Sequence, residues 1–458
     1  MKISGPFWRC SLLAVLFAVG CQLAPEYQRP GSTIPAAFPE PGGVADKAAA
    51  DRTTDDVFRD ARLQCLIRIA LSNNLDLRIA TLKVEQSQAQ YRITRSAIYP
   101  RLDATASLTR SHSAGHSANT WSASLGNTAY EVDLFGRVRS LNQKSLESFF
   151  ATEEACRSAR ISLVAQVARQ YLALRHAELQ LRLARETFES VEASLRVNRS
   201  LVEAGAGNEL DLRTAEGQVQ QARLKILEFE RGVAEARDAL FPLLGQTLPD
   251  TIPSPMDSDF EELIEEVPAG LPSDLARRRP DILEAEHQLK SANANVGAAR
   301  AAFFPKITLT QNEGVSSSEL QKLFSAGTGF WSLSPQVSLP IFTGGRTRAN
   351  LDSARTEVAI EVANYQKTIQ TAFQEVSDAV TEAGSYRTEF GVRNAQVKTQ
   401  AARFELAEAR YRHGEDSYLN VLSAQQDLYG AQRGLLDTWL HLLNSRVSLF
   451  KALGGGWK

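Results

Sequence analysis

The sequence is poor in residues that interrupt or staple a chain. No proline falls between Pro100 and Pro242, and none follows Pro340. Proline breaks helix interiors, so both spans are open to very long helices. The four cysteines, Cys10, Cys21, Cys65 and Cys156, show no metal-ligand spacing. Cys65 and Cys156 sit in helical patterns and read as small buried hydrophobes rather than a disulfide pair. Net charge is −2, which gives no basic excess for nucleic acid. Apolar content is an ordinary 43%, and the longest early apolar run, Cys10–Gly20, is too short to cross a bilayer. Any membrane part is therefore not a bundle of spanning helices. No nucleophile–base pair, phosphate-cradling glycine loop or carboxylate pair with a cleft to serve is found.

What is present is organised around Phe303–Leu351. Ile307 and Leu309, then Trp331, Leu333, Val337, Leu339 and Ile341, alternate with polar residues such as Ser332, Ser334, Gln336 and Ser338. Period-two alternation predicts two strands with one apolar and one wet face. Pro305 and Pro340 close the ends, and Gly344–Gly345 form the turn out. A weaker twin lies upstream, offset by 305 − 100 = 205: Leu102, Ala104, Ala106 and Leu108, a polar tip SHSAGHSANT, then Trp121, Ala123 and Leu125. The hairpins are expected at about 100–134 and 305–341. His112 and His116 fall four apart on the polar tip, where a solvated loop is favoured over a metal site. Trp121 and Trp331 are either membrane-interface anchors or packing residues.

Long helices follow each hairpin. Val358, Val362, Tyr365, Ile369, Phe373, Val376 and Val380 step by threes and fours, as do Ile161, Val164, Ala168 and Tyr171. Helices over 139–203 and 346–412 would run about 95–100 Å at ~1.5 Å per residue. Each ends in a matched turn, Gly205-Ala206-Gly207-Asn208 and His413-Gly414-Glu415-Asp416, at offset 414 − 205 = 209. A second helix follows each turn, over 210–240 and 418–453. A further matched helix precedes each hairpin, with Asp76 aligned to Asp281 and Arg95 to Arg300. The chain therefore divides into a signal peptide (1–20), an extended lipid-anchored tether (21–55), a first repeat (56–240), a Pro- and acid-rich linker (241–275) and a second repeat (276–458).

The N-terminus has Lys2 and Arg9 before its apolar run, as a secretory signal does. Ala18-Val19-Gly20-Cys21 resembles a bacterial lipobox with Cys21 as the lipidated residue; an unlipidated signal peptide is the alternative. Four strands per chain leave two open edges and one apolar face. A membrane barrel needs about eight strands. Two copies supply 2 × 4 = 8 and three supply 3 × 4 = 12 strands, a choice that strand count alone leaves open.

The segments CQLAPEYQRP, YEVDLFGRVRS, GNELDLRTAEGQVQQAR, LPSDLARRRPDILEAEHQLKSANANVGAARAAFFPKITLT, LPIFTGGRTRANL, ARYRHGEDSYLNVLSAQQDLYGAQ and LFKALGGGW span nearly the whole mature chain. On them the sequence resembles the bacterial outer membrane factors, the TolC-like outer membrane efflux proteins, in their NodT/OprM-type lipoprotein branch. The resemblance implies a mainly α chain with a membrane β-barrel part: a homotrimer with a 12-stranded barrel, four strands per chain, continued by an α-helical coiled-coil periplasmic tunnel. It implies no cofactor and no catalysis. It also implies outer membrane lipid, a periplasmic adaptor and an inner-membrane pump of the RND type as partners, and export of drugs or other small molecules. Conduits for metal ions, signalling molecules or type I protein secretion are the alternatives within that class. A coiled-coil scaffold without a barrel is the alternative outside it.

By the same resemblance, Tyr411, Leu419, Ser423 and Gln426 belong to a periplasmic aperture. The family often has an acid where Ser423 stands and Arg where Gln426 stands, so an ionic latch is not expected there. Asp211, Glu209 and Asp416 are expected either to form an acidic collar or to cap the turns. Gly205, Ala206, Gly414 and Glu415 are expected at the adaptor-docking tips, where little side-chain bulk lets another hairpin approach.

Overall fold

The computed structural model describes residues 23–31, 35, 54–249, 263–264 and 278–455. The signal segment, Cys21, most of the tether and most of the linker, including Glu261, Glu262, Glu265 and Glu266, lie outside the described residues. The elements are α1 (Thr54–Val57), α2 (Ala61–Asn73), α3 (Leu75–Ser96), β1 (Asp103–Ser113), β2 (His116–Glu131), α4 (Arg137–Glu203), α5 (Glu209–Asp238), α6 (Phe241–Leu244), α7 (Pro280–Ala301), β3 (Lys306–Ser317), β4 (Gly329–Ser338), α8 (Arg346–Arg412) and α9 (Tyr418–Ala452). The duplication is plain in the bounds. Helices α3 and α7 are 22 residues each, and α4 and α8 are 67 residues each. At ~1.5 Å per residue, 67 residues make a rod of about 100 Å.

The chain forms two compact units. One contains Leu82–Glu154 and Leu283–Thr368; the other contains Ala155–Ile282 and Ile369–Lys458. In the first unit the strands form one antiparallel sheet in the order β1-β2-β3-β4. Register fixes its faces. Ala104, Ala106 and Leu108 stand opposite Leu125, Ala123 and Trp121, and Ile307 and Leu309 stand opposite Val337 and Pro335. These share one face, and Trp331 (78% exposed) and Val337 (65%) lie open on it. The other face is hydroxyl-rich: Thr105 pairs with Ser124 at 3.0 Å and Ser107 with Ser122 at 2.8 Å. Glu313, opposite Leu125 and Trp331, interrupts the apolar face. A bulge in β2 between Asn127 and Tyr130, with Ala129 at φ 53°, bends the strand before it leaves the sheet.

The expected polar loop at the first hairpin's tip is not a loop. His112 pairs across the strands with Ser117, and Ser113 with His116, so only Ala114 and Gly115, both at positive φ, make the turn. His112 Nδ1 lies 3.0 Å from Ser117 Oγ, and His116 Nδ1 3.1 Å from the Ala114 carbonyl. The histidines end strands rather than ride on a solvated loop. Cys65 and Cys156 are both free thiols and half-buried.

The N-terminal segment also packs in the first unit, antiparallel to α7. Arg300 donates to the Leu23 carbonyl (3.2 Å), Asn293 to the Pro25 carbonyl (2.8 Å) and Tyr27 to Glu286 (3.3 Å). Arg29 pairs with the same Glu286, and Lys290 lies over the Tyr27 ring. Burial raises the Glu286 carboxyl's pKa, but the hydrogen bonds from Arg29 and Lys290 outweigh it and hold the group below its ordinary value. Gly297 permits this approach: a Cβ there would lie 2.7 Å from the Ala24 Cβ.

The second unit has its core around Trp439, Tyr171, Phe58 and Phe450, all nearly fully buried. The last two rings meet edge-on at 5.2 Å. Arg279, also buried, is held by Asp281, Glu375 (2.8 Å) and the Ala452 carbonyl (2.9 Å), so its charge is fully matched. Among the described residues, no helix is long and apolar enough to cross a membrane.

Candidate functional site: the tips of the two helical hairpins

Within the second unit, residues 155–203 of α4 form one long hairpin with α5, and residues 369–412 of α8 form the other with α9. Both turn by the same device. Gly205 (φ 72°) and Gly414 (φ 74°) take the left-handed conformation that ends a helix. Gly205 N–H donates to the Val202 carbonyl and Ala206 N–H to Leu201; Gly414 donates to Tyr411 and Glu415 to Arg410, all at 2.9 Å. Gly205, Ala206, Gly414 and Glu415 are all exposed at the tips.

Past the turns the hairpins differ. Asn208 caps α5, accepting from Leu210 N–H at 3.0 Å, so Asp211 is not the cap. In the second hairpin Asp416 does organise the turn. It accepts from Ser417 N–H (2.8 Å) and the Asn420 amide (2.5 Å), with Arg410 at 3.5 Å. The Asn420 and Ser417 hydrogen bonds lower the Asp416 pKa from its ordinary value.

Tyr411, the last full turn of α8, points inward. Its hydroxyl donates to Asn198 Oδ1 on α4 at 2.7 Å, and its ring lies 5.6 Å from that of Tyr418. Tyr418 and Val421 of α9 and Ala215 of α5 form a small buried core, on which Leu195, Phe404, Ala407 and Tyr411 pack. Burial raises the Tyr411 and Tyr418 hydroxyls above the ordinary tyrosine range, and the nearby Asp211 carboxylate adds to both. One turn higher, Gln425 donates to Ser190 Oγ at 3.0 Å. Leu419 stands 69% exposed, as does its counterpart Leu210. Ser423 is half-buried; Gln426 is exposed and lines a shallow groove with Gln218, Gln221 and Tyr429.

The geometry thus brings Tyr411, Asp211 and Tyr418 together, puts Asp416 in the turn, and leaves Leu419 and Gln426 facing out. Asn198 and Ser190 were not singled out from the sequence, because their partners lie more than two hundred residues away. Among the described residues, no cluster of three or more His, Cys, Asp or Glu is placed to hold a metal.

Three comparisons bear on what this arrangement belongs to. Residues 66–246 and 271–455 match the family model described as outer membrane efflux protein. The toluene efflux pump outer membrane protein TtgC of Pseudomonas putida is 43% identical over 98% of the chain and 95% of that protein. The cation efflux system protein CusC of Escherichia coli is 38% identical over 98% of the chain and 99% of its own length. Among solved structures, the open state of the Neisseria gonorrhoeae MtrE outer membrane channel superposes with a TM-score of 0.91, at 36% identity, over 96% of the chain and 99% of MtrE. A CusC crystal structure gives a TM-score of 0.88 at 37% identity, over 95% of the chain and 100% of CusC.

Proposed function

This chain belongs to the outer membrane efflux protein family, and we propose that three copies of it close a 12-stranded barrel in the outer membrane that conducts small organic compounds outward. As a member it is an efflux channel protein of the outer membrane. The observation that carries the sharing of one wall between copies is the sheet, and three is the number that the resemblance implies. Its apolar face suits lipid, its hydroxyl face suits a wet interior, and its two edge strands, β1 and β4, have no further strand partner among the described residues. In the order β1-β2-β3-β4 with every pair antiparallel, β4 of one copy meets β1 of the next antiparallel as well, so the wall closes with one repeating rule.

The long helices continue the wall as a periplasmic tunnel. The two tips meet a periplasmic adaptor, at Gly205, Ala206, Gly414 and Glu415, and through it an inner-membrane pump. Tyr411, Leu419, Ser423, Gln426, Asp211 and Asp416 belong to the aperture. The Tyr411–Asn198 and Gln425–Ser190 contacts support a latch of neutral hydrogen bonds in place of an ionic one. Lipidation at Cys21 is supported by the lipobox-like Ala18-Val19-Gly20-Cys21; the described chain resumes at Leu23, whose carbonyl accepts from Arg300, six residues before β3 begins at Lys306. Organic cargo is supported by the relatives named for toluene and antibiotic efflux.

Reconstitution tests this reading. The detergent-purified protein should have the mass of three chains, and in planar bilayers it should give discrete currents that widen in Tyr411→Ala. A stable monomer, or a trimer silent in every form, would refute it.

A further inference from the structure

The second hairpin carries glycines that contacts within the chain do not explain. Helix α4 has no glycine in 67 residues, whereas its counterpart α8 has Gly384 and Gly391, and α9 has Gly430 and Gly434. A Cβ added at Gly391 or Gly430 would meet nothing within 4 Å, and one at Gly434 only the Arg393 guanidinium at 3.2 Å. None of the three has positive φ. Glycine in a helix interior costs about 0.5–1 kcal/mol relative to alanine, and here neither a close contact within the chain nor a turn requires it.

Gly391, Gly430 and Gly434 lie within about one turn of a common level, with Gly384 two turns farther from the tip. Thr438 of α9 donates to Glu389 of α8 at 3.2 Å, and Arg393 covers Gly434, so Gly391 stands across from Gly434 with Gly430 one turn nearer the tip. In the first hairpin, a Cβ at Gly217 or Gly232 of α5 would likewise meet nothing within 4 Å, but these two lie fifteen residues apart (232 − 217) and are faced by a helix with none, so they form no common level.

The contacts from α4 to the second hairpin divide at the same level. On the side away from the tip, Asp437 accepts from His176 (2.8 Å) and Gln180 (3.2 Å), and Ser448 accepts from Arg169 (2.9 Å). Toward the tip lie the two neutral contacts, Gln425 to Ser190 and Tyr411 to Asn198. We propose that Gly391, Gly430 and Gly434 form a hinge in the second hairpin, about which its tip-ward part bends off α4 to open the aperture. Opening breaks the Ser190 and Asn198 contacts and leaves the Asp437 contacts intact. The 23 residues from Gly391 to Gly414 (414 − 391) make a lever of roughly 35 Å at ~1.5 Å per residue. The first hairpin, lacking such a level, stays straight.

The inference rests on the conduit reading, and the test separates the two. In planar bilayers, Gly391→Ala with Gly430→Ala, placed in a Tyr411→Phe background, should lower the opening frequency by about tenfold, since two helix-interior glycines are replaced by the best helix former. The trimer mass should be unchanged. Unchanged opening would overturn the hinge. So would loss of the trimer, which would make the glycines sites of close approach between copies. No current from any form, wild type included, would sink the conduit reading itself. Disulfide staples supply a second readout in a Cys65→Ser, Cys156→Ser background. Oxidising Ser190→Cys with Gln425→Cys should hold the pore shut, while oxidising His176→Cys with Asp437→Cys should leave opening as before. A pore locked shut by the second staple, or left free by the first, would contradict the hinge.

Discussion

The two helical hairpins are copies of one element with different packing. Their first helices have equal length and their turns share one hydrogen-bond pattern. Yet α9 is largely buried, with Tyr418, Val421, Ala424, Leu436, Trp439 and Leu443 in the interior, whereas α5 buries only Leu212, Ala215 and Phe229. Leu210, Leu224 and Leu227 of α5 stay exposed. The second hairpin is also the one tied to α4 by hydrogen bonds on both sides of its glycine level. Duplication supplied the long helix twice; divergence left one following helix largely exposed and the other largely buried.

The largest expected contrast comes from a buried charge. Val421 is 2% exposed in the core shared with Ala215 and Tyr418. Val421→Asp should destabilise the second tip by about 3 kcal/mol or more and leave the pore leaking, seen as antibiotic uptake and a lowered unfolding temperature. Leu210→Asp, on the exposed first tip, should change unfolding by no more than about 0.5 kcal/mol. Equal effects would erase the distinction between the hairpins.

A smaller effect follows from the latch. Asn198→Ala removes the acceptor from the half-buried Tyr411 hydroxyl and should raise opening about fivefold, for a bond of about 1 kcal/mol. Asn198→Asp should raise it less, because a carboxylate still accepts from that hydroxyl. Single-channel recording of both variants checks the order.

The smallest effect is with pH. The folded state raises the Tyr411 pKa, so its protonated form is favoured, and that stabilisation is complete below the ordinary tyrosine value of about 10 and is lost only above it. The folded state lowers the Asp416 pKa, so its contribution is complete above the ordinary aspartate value of about 3.9 and is lost as pH falls through the lowered one. Opening should therefore be flat between pH 5 and 9. A strong slope in that window would mean that an ionic contact holds the tip.

Much of this was legible in the sequence, for physical reasons that also mark where legibility ends. Proline-free spans with apolar steps of three and four placed α4 and α8 to within about two residues, because a rod of such length tolerates no breaker. The turns were readable because left-handed glycines leave a mark in composition. The first β-hairpin's tip was misread: from Arg110 to Thr120 few apolar residues remain, so the alternation that signals a strand falls silent although the ladder continues to Ser113 and His116. Glu313 likewise places a charge on the apolar face, so the alternation marks only the first half of β3, at Ile307 and Leu309. The partners of Tyr411 and Gln425 were out of reach, since Asn198 and Ser190 become neighbours only through the packing of helices from different repeats.

The most direct test of the account is the single-channel conductance of Leu419→Ala beside Leu210→Ala, two residues that occupy equivalent places and are equally exposed at the two tips. The account predicts a clearly larger resting conductance for Leu419→Ala and a wild-type trace for Leu210→Ala. The reverse result, or the same conductance from both, would contradict the assignment of the aperture to the second hairpin.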